Sequence, residues 1–338
     1  MCNFNEYNKS LCCGCGACEL VCPKKCIKMI YDEEGFLYPI LDKELCIHCG
    51  LCEIHCPIIK ETKNNKVLFS YGLIHRENNI TKNSSSGGAF TAIAEYVLSN
   101  DGVVFGCAFN ENIEAKTICI ESRTDLYKLR GSKYVQCDTN KQYKNIKTFL
   151  DKGRIVLYCS TPCQIAGLKS YLSKDYDNLF LIDLFCHGTP SPKLFEKYIT
   201  WLGEKYGSKI SNYCFRDKKY GWSAKGYFKT EFNHEYELNG SDPYYYSFLM
   251  GRTYRPVCYQ CKYANPQRTG DITIGDFWGV EKNHPNINTE EGVSAVLINN
   301  LKGQKVLDYI KIAFIYLVPN LKILLIITHS YYILLKKI

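Results

Sequence analysis

The sequence predicts a small α+β cluster-binding module followed by a larger mixed α/β domain, and two observations carry that expectation. The first is a doubled cysteine run, Cys12-x2-Cys15-x2-Cys18-x3-Cys22-Pro23 and Cys46-x2-Cys49-x2-Cys52-x3-Cys56-Pro57. The second is an alternation of apolar, strand-like runs with segments of helical period from residue 67 onward.

The spacing of each run is that of bacterial ferredoxins, in which three thiolates hold one [4Fe–4S] cluster and the fourth reaches the other cluster. Closely spaced cysteines on a tight loop turn three sulfurs toward one face of a cubane, and the proline after the last one blocks helix continuation. The reading assigns Cys12, Cys15, Cys18 and Cys56 to one cluster, and Cys46, Cys49, Cys52 and Cys22 to the other. Zinc sites use pairs of x2-spaced ligands and seldom need eight sulfurs in two fourfold runs. A disulfide framework belongs to short secreted chains, not to one of 338 residues. The module is therefore an electron carrier.

That length accommodates a module of about 60 residues and a second domain with its own core. The formal charge of +8 is spread along the chain instead of forming a basic block. Nucleic-acid binding needs clustering and is not expected; the surplus suits an acidic partner or an anionic cofactor. The segment Met1–Ser10 is polar and lacks the apolar run of a signal peptide. With 20 cysteines, a cytoplasmic location that keeps thiols reduced is expected.

The expected organisation is a two-cluster module at 1–62, a polar linker at Lys60–Lys66, an α/β domain in two parts at 67–150 and 151–305, and an apolar tail at 306–338. Pro319, Asn320 and Lys322 interrupt the apolar stretch Ile312–Leu335. The rest falls short of the ~20 residues of a membrane helix. The tail leaves three alternatives: a membrane span, an amphipathic surface contact or docking helix, and a truncated or frame-altered end.

In order, Val67–Ile74 reads as a strand and Gly87–Ser99 as a helix with Phe90, Ile93, Ala94, Val97 and Leu98 on one face. Strands follow at Gly102–Phe109 and Thr117–Glu121, then a helix at Gln142–Lys152 and a strand at Arg154–Cys159. A helix at Pro162–Leu172, a strand at Leu179–Phe185 and a helix at Pro192–Tyr206 come next. Later strands are expected at Ile210–Phe215, Gly226–Phe232, Asp271–Ile274 and Val293–Ile298.

Several motifs sit on the turns between these elements. Lys82-Asn83-Ser84-Ser85-Ser86-Gly87-Gly88 precedes a helix, where free backbone amides bind anions; serine N-capping with a flexible loop is the alternative. Arg130 and Lys133 offer charge for a pyrophosphate and Tyr134 a ring for stacking, against a plain solvated turn. No G-x-G-x-x-G fingerprint is present, which argues against a standard dinucleotide fold. Cys163, Cys186, Cys258 and Cys261 stand at turn-like positions and are candidate ligands of a third [4Fe–4S] cluster, or else structural or redox thiols. Cys107, Cys119, Cys137 and Cys214 read as buried small apolar residues. His187 is the candidate proton donor, with a structural role as its alternative, and His48 and His55 are expected to be exposed. Asp271 and Asp276 suit either a pocket wall or a turn.

As an ordered set, Ser86-Gly87-Gly88, Arg130-Gly131-Ser132-Lys133-Tyr134, Thr161-Pro162-Cys163-Gln164, Cys186-His187-Gly188, Cys258-x2-Cys261 and Gly275-Asp276-Phe277-Trp278-Gly279 resembles the coenzyme F-420 hydrogenase/dehydrogenase beta-subunit family. The resemblance covers about residues 67–300; the tail after Val306 and the extra Cys13 depart from it. It implies an α+β ferredoxin-like module followed by a mixed α/β flavin-binding domain, with FAD contacted by Ser86, Gly87, Gly88, Arg130, Lys133 and Tyr134. It also implies an iron–sulfur flavin-dependent oxidoreductase. Clusters carry single electrons and a flavin bridges them to a two-electron acceptor. The implied partners are a low-potential donor or ferredoxin and a small-molecule hydride acceptor such as coenzyme F-420. The alternatives are a non-catalytic electron-transfer subunit, or a reductase of a sugar- or polysaccharide-related intermediate.

Overall fold

An eight-stranded mixed sheet organises the chain in the computed structural model, which describes residues 9–60, 64–238, 242–282 and 284–317. Its strands are β3 (Phe69–His75), β4 (Val103–Phe109), β5 (Ala115–Ile120), β6 (Val156–Ser160), β7 (Leu179–Leu184), β11 (Ile272–Asp276), β12 (Ser294–Ile298) and β13 (Phe314–Leu317). Their order is β13-β3-β12-β11-β7-β6-β4-β5. β4, β6, β7 and β11 run parallel, and antiparallel pairs close both ends. The run is Val-, Ile- and Leu-rich because helices cover both faces. On one face α4 (Ala89–Ser99) and α9 (Leu301–Ile310) bury Ile93, Val97, Val306 and Leu307. On the other, α5 (Gln142–Asp151) and α6 (Pro162–Leu172) bury Tyr143, Ile146, Ile165 and Leu168.

A three-stranded antiparallel sheet of β8 (Ile210–Cys214), β9 (Gly226–Thr230) and β10 (Glu235–Leu238) packs with α7 (Pro192–Tyr206) and α8 (Pro243–Leu249). That core is aromatic, built on Phe195, Tyr213, Phe215, Phe228 and Tyr244. The helical and strand periods predicted for residues 67–298 reappear in these elements with ends moved by a few residues, the usual fraying of boundaries.

The N-terminal module holds α1 (Ala17–Val21), α2 (Leu51–Ile54) and the hairpin β1 (Ile27–Tyr31) with β2 (Leu37–Leu41). Each short helix starts at a left-handed glycine inside its cysteine run, Gly16 at φ 76° and Gly50 at φ 73°. The hairpin was not foreseen: IKMIY and LYPIL lack strict alternation, and Pro39 demotes a strand reading.

One expectation needs correcting. The apolar tail was placed at 306–338, yet α9 and β13 carry the sheet domain to Leu317, with Phe314 opposite His75 on β3. Val306, Leu307 and Ile310 are apolar because they form the buried face of α9. The remaining tail, with its membrane and docking alternatives, lies outside the described residues, as do 1–8 and linker positions 61–63. Among the described residues no helix is long and apolar enough to cross a membrane.

Candidate functional site

Thiols of both cysteine runs lie near one another around Cys18. Burial raises the Cys18 thiol, and its neighbours Cys12, Cys56 and Cys52 raise it further. A hydrogen bond with Cys13 lowers the Cys15 thiol, but burial and the neighbours Cys18 and Cys56 raise it overall. Cys22, Cys46, Cys49 and Cys52 line a second, small apolar cavity. A fifth thiol enters that cavity: Cys26 Sγ lies 3.3 Å from Cys22 Sγ. Burial, then the Cys22 contact, pushes Cys26 up to about 12. Sequence reasoning passed over Cys26, although its x3 spacing from Cys22 was a visible signal. Among the described residues no group of three or more His, Cys, Asp or Glu closes around one metal-ion position. None of the eight run cysteines is in a disulfide, and thiolates in this spacing are the donor set of [4Fe–4S] centres.

Cys163 at the start of α6, Cys186 after β7, and Cys258 and Cys261 in the loop after α8 form another quartet. Burial raises Cys186, and Cys258, Cys163 and Cys261 add to it in that order. The extra Cys13 interacts through hydrogen bonds with both Cys15 and Cys163. It therefore stands between the first N-terminal group and this quartet.

A cavity of about 300 Å³ opens beside the quartet, at the carboxyl ends of β4, β6, β7 and β11. Open α/β sheets place ligands at such ends, and small-molecule pockets begin near this size. Ser84, Ser85 and Ser86 line it, as do Arg130, Lys133, Tyr134, His187, Cys163, Cys186 and Cys258. Ser132 Oγ donates to Ser85 Oγ at 3.1 Å, so the serine loop and the basic loop touch. Gly87, Gly88 and Cys261 do not line the cavity. A Cβ on Gly87 would lie 2.0 Å from the Leu73 carbonyl of β3, and Gly88 takes φ 91° to start α4. These glycines let the serine loop lie against the sheet.

The polar side chains around the cavity are already engaged. Lys133 Nζ donates to the Arg130 and Lys128 carbonyls at 2.7 and 3.1 Å, and burial lowers its pKa. Arg130 Nε donates to Thr91 Oγ1 at 3.2 Å. The Tyr134 ring stacks on Phe248 at 4.5 Å and on Tyr245 at 5.4 Å. Burial lowers the His187 pKa. Arg216 grips Asp276 bidentately at 2.5 and 3.1 Å, and Trp222 Nε1 donates to the same carboxylate at 2.9 Å. Lys218 Nζ donates to the Ser86 carbonyl at 2.7 Å, holding the serine loop from behind. Asp271 does not line the cavity: its carboxylate accepts from Leu181 N and Asn300 Nδ2. His55 is not exposed as expected but pairs with the Ser170 carbonyl at 2.6 Å.

The module is tied to this site by a fully buried arginine. Arg255 donates to the Cys12 carbonyl at 2.6 Å, the Leu37 carbonyl at 2.8 Å and Gln136 Oε1 at 3.0 Å. Its guanidinium covers the Tyr38 ring at 4.1 Å. Gln136 Nε2 donates onward to the Cys13 carbonyl at 3.1 Å. Nothing local in the sequence signals these contacts, which join positions more than a hundred residues apart.

Residues 11–58 match the 4Fe-4S dicluster domain. Residues 74–144 match the N-term model of coenzyme F420 hydrogenase/dehydrogenase, beta subunit, and residues 153–320 match its C terminus model. A chain of the F420-reducing [NiFe] hydrogenase complex from Methanosarcina barkeri has a similar fold at 18% identity. The match has a TM-score of 0.54 and covers 81% of this chain and 91% of that one. No curated protein matches the chain. With both halves of the beta-subunit model aligned on the sheet domain behind the dicluster domain, the chain belongs to the coenzyme F-420 hydrogenase/dehydrogenase beta-subunit family.

Proposed function

We propose that this chain is an iron–sulfur, FAD-dependent oxidoreductase that moves electrons between a low-potential donor and a two-electron acceptor. One observation carries the reading: a single cavity gathers the serine loop, the basic loop and three members of a cysteine quartet, with Cys13 leading back to the N-terminal thiols. The eight run cysteines would hold two [4Fe–4S] clusters, and Cys163, Cys186, Cys258 and Cys261 a third. Ser86, Arg130, Lys133 and Tyr134 would contact FAD, with Gly87 and Gly88 shaping the loop. A flavin supplies the step between one-electron and hydride chemistry. His187, on the cavity wall, would hold the proton that accompanies a hydride. The acceptor proposed is coenzyme F-420 or, in its absence, a sugar-related intermediate, in a cytoplasmic setting.

The similar chain is part of a hydrogenase complex. That favours a second reading, in which this chain passes electrons inside a larger assembly and turns over no small molecule itself. Anaerobic purification with iron, zinc and flavin analysis tests the shared core. About eight to twelve irons per chain with bound FAD is expected from two or three clusters of four irons. Colourless protein with stoichiometric zinc overturns it. Reduction by dithionite followed by oxidised F-420 then separates enzyme from subunit.

A further inference from the structure

Among the described residues three arginines are buried, and two of them face a carboxylate. Arg216 is paired with Asp276 and Arg268 with Asp183. Arg255, the most deeply buried at 1% exposure, donates instead to neutral oxygens: the Cys12 and Leu37 carbonyls and Gln136 Oε1. Among the described residues no acidic side chain stands within ion-pair distance of it. The Tyr38 and Phe36 rings lie 4.1 and 5.3 Å from its guanidinium carbon. Ring contacts offset only part of what a buried cation costs. The balance has to come from an anion.

The guanidinium is pressed against the chain between Cys12 and Cys15. A Cβ on Gly14 would meet Arg255 Nη1 at 2.9 Å and Cζ at 3.2 Å, so only glycine leaves room for the cation there. The Gly14 amide in turn donates to Cys12 Sγ at 3.4 Å. Gln136 braces the other side, accepting from Arg255 and donating to the Cys13 carbonyl at 3.1 Å. Loop and cation are thus held as one buried unit. The second thiol group sits differently: Cys49 is exposed, and Lys24 on the rim of its cavity is exposed too, where solvent and salt screen its charge.

We propose that Arg255 is the fixed countercharge of the first N-terminal [4Fe–4S] centre, a positioning residue that raises its reduction potential and holds an arriving electron at the joint between the module and the sheet domain. The inference rests on the cluster reading above. Thiolate-ligated centres are anions that gain one more negative charge on reduction, and local charge sets their potential. A buried cation therefore favours the reduced form, and more strongly than one in water would. The step moves one electron from the low-potential donor to the centre, and no bond is made or broken. Cys13, beside Cys12, lines the large cavity, so the electron is held next to the proposed flavin site.

Redox titration of the anaerobic full-length protein, followed by electron paramagnetic resonance, tests the proposal on Arg255→Gln and Arg255→Lys chains. A Cys18→Ala chain, whose first centre lacks a ligand, identifies the step that belongs to that centre. In the Gln chain this step should shift about tenfold toward the oxidised form, a potential lower by about 59 mV for one electron, while the other steps hold. The Lys chain keeps the charge and should stay close to the unaltered chain. Equal shifts in the Lys and Gln chains mark a merely structural arginine and overturn the proposal. So does an unmoved step in the Gln chain with flavin lost, because the cavity that Arg255 also lines would then be what needs the cation. Should the Gln chain load no first centre, iron content decides: the Lys chain should match the unaltered one, and equal iron loss in both overturns the proposal. An unaltered chain with no reducible step sinks the cluster reading as well, whereas steps indifferent to Arg255 sink this inference alone.

Discussion

At position 87 a side chain would collide with the backbone of the neighbouring strand, and that collision explains more of the serine loop than phosphate approach does. The Leu73 carbonyl would stand 2.0 Å from a Cβ there and the Ser294 amide 2.6 Å. Gly87→Ala is therefore expected to destabilise the fold by about 3 kcal/mol, at the upper end for overpacking against rigid backbone, read as a lowered urea midpoint. Asp276 makes the opposite case, an acidic residue whose dual reading as pocket wall or turn could not be settled from GDFWG alone. It lines the cavity and also neutralises Arg216, which is 60 positions away and nearly buried. Asp276→Asn leaves that guanidinium without its counter-charge, at a cost of about 3 kcal/mol, typical of broken buried pairs. A smaller loss in thermal denaturation would mean that water reaches Arg216. Single residues were legible where a motif fixed their chemistry, as with the eight cysteines. They were opaque where a distant partner decided their role, as with Arg255, whose acceptors Cys12 and Leu37 lie in the N-terminal module.

Elements were easier to read than residues, because helical and strand periods are local properties. Helices α6 and α7 begin at Pro162 and Pro192 and end where the periodicity fails. The strands missed were those whose pattern depends on placement. β13, FIYL, lies in an apolar stretch that looks like a tail until β3 supplies its partner. β13 covers one edge of β3, and uncovered edges template aggregation. A chain ending at Ala313 is accordingly expected to scatter light on warming well below the temperature at which a chain ending at Leu317 does so. Equal behaviour of the two would show that β3 needs no cover.

For the whole molecule, the sequence named the two parts and the loops that converge on the cavity, but not how the parts are joined. Joining rests on long-range contacts with no sequence pattern: Arg255 to Cys12 and Leu37, Gln136 to Cys13, and Tyr263 to the Pro57 carbonyl at 3.1 Å. Truncating Arg255 to alanine removes a buried cation and strands its acceptors, about 3–5 kcal/mol of lost docking. Limited proteolysis should then cut the 60–66 segment much faster than in the unaltered chain. If the cutting rate stays unchanged, the arginine is not what fastens the module.

The Gly167 contact carries the same architecture to a finer grain. A methyl group there would press within 2.6 Å of Cys15 Cβ, so helix α6 and the first thiol run are set flush, backbone to side chain. Such a joint has no hinge. A relay built on it would work like a soldered wire and not a swinging arm, and glycerol thick enough to slow domain tumbling should leave its internal transfer rate untouched.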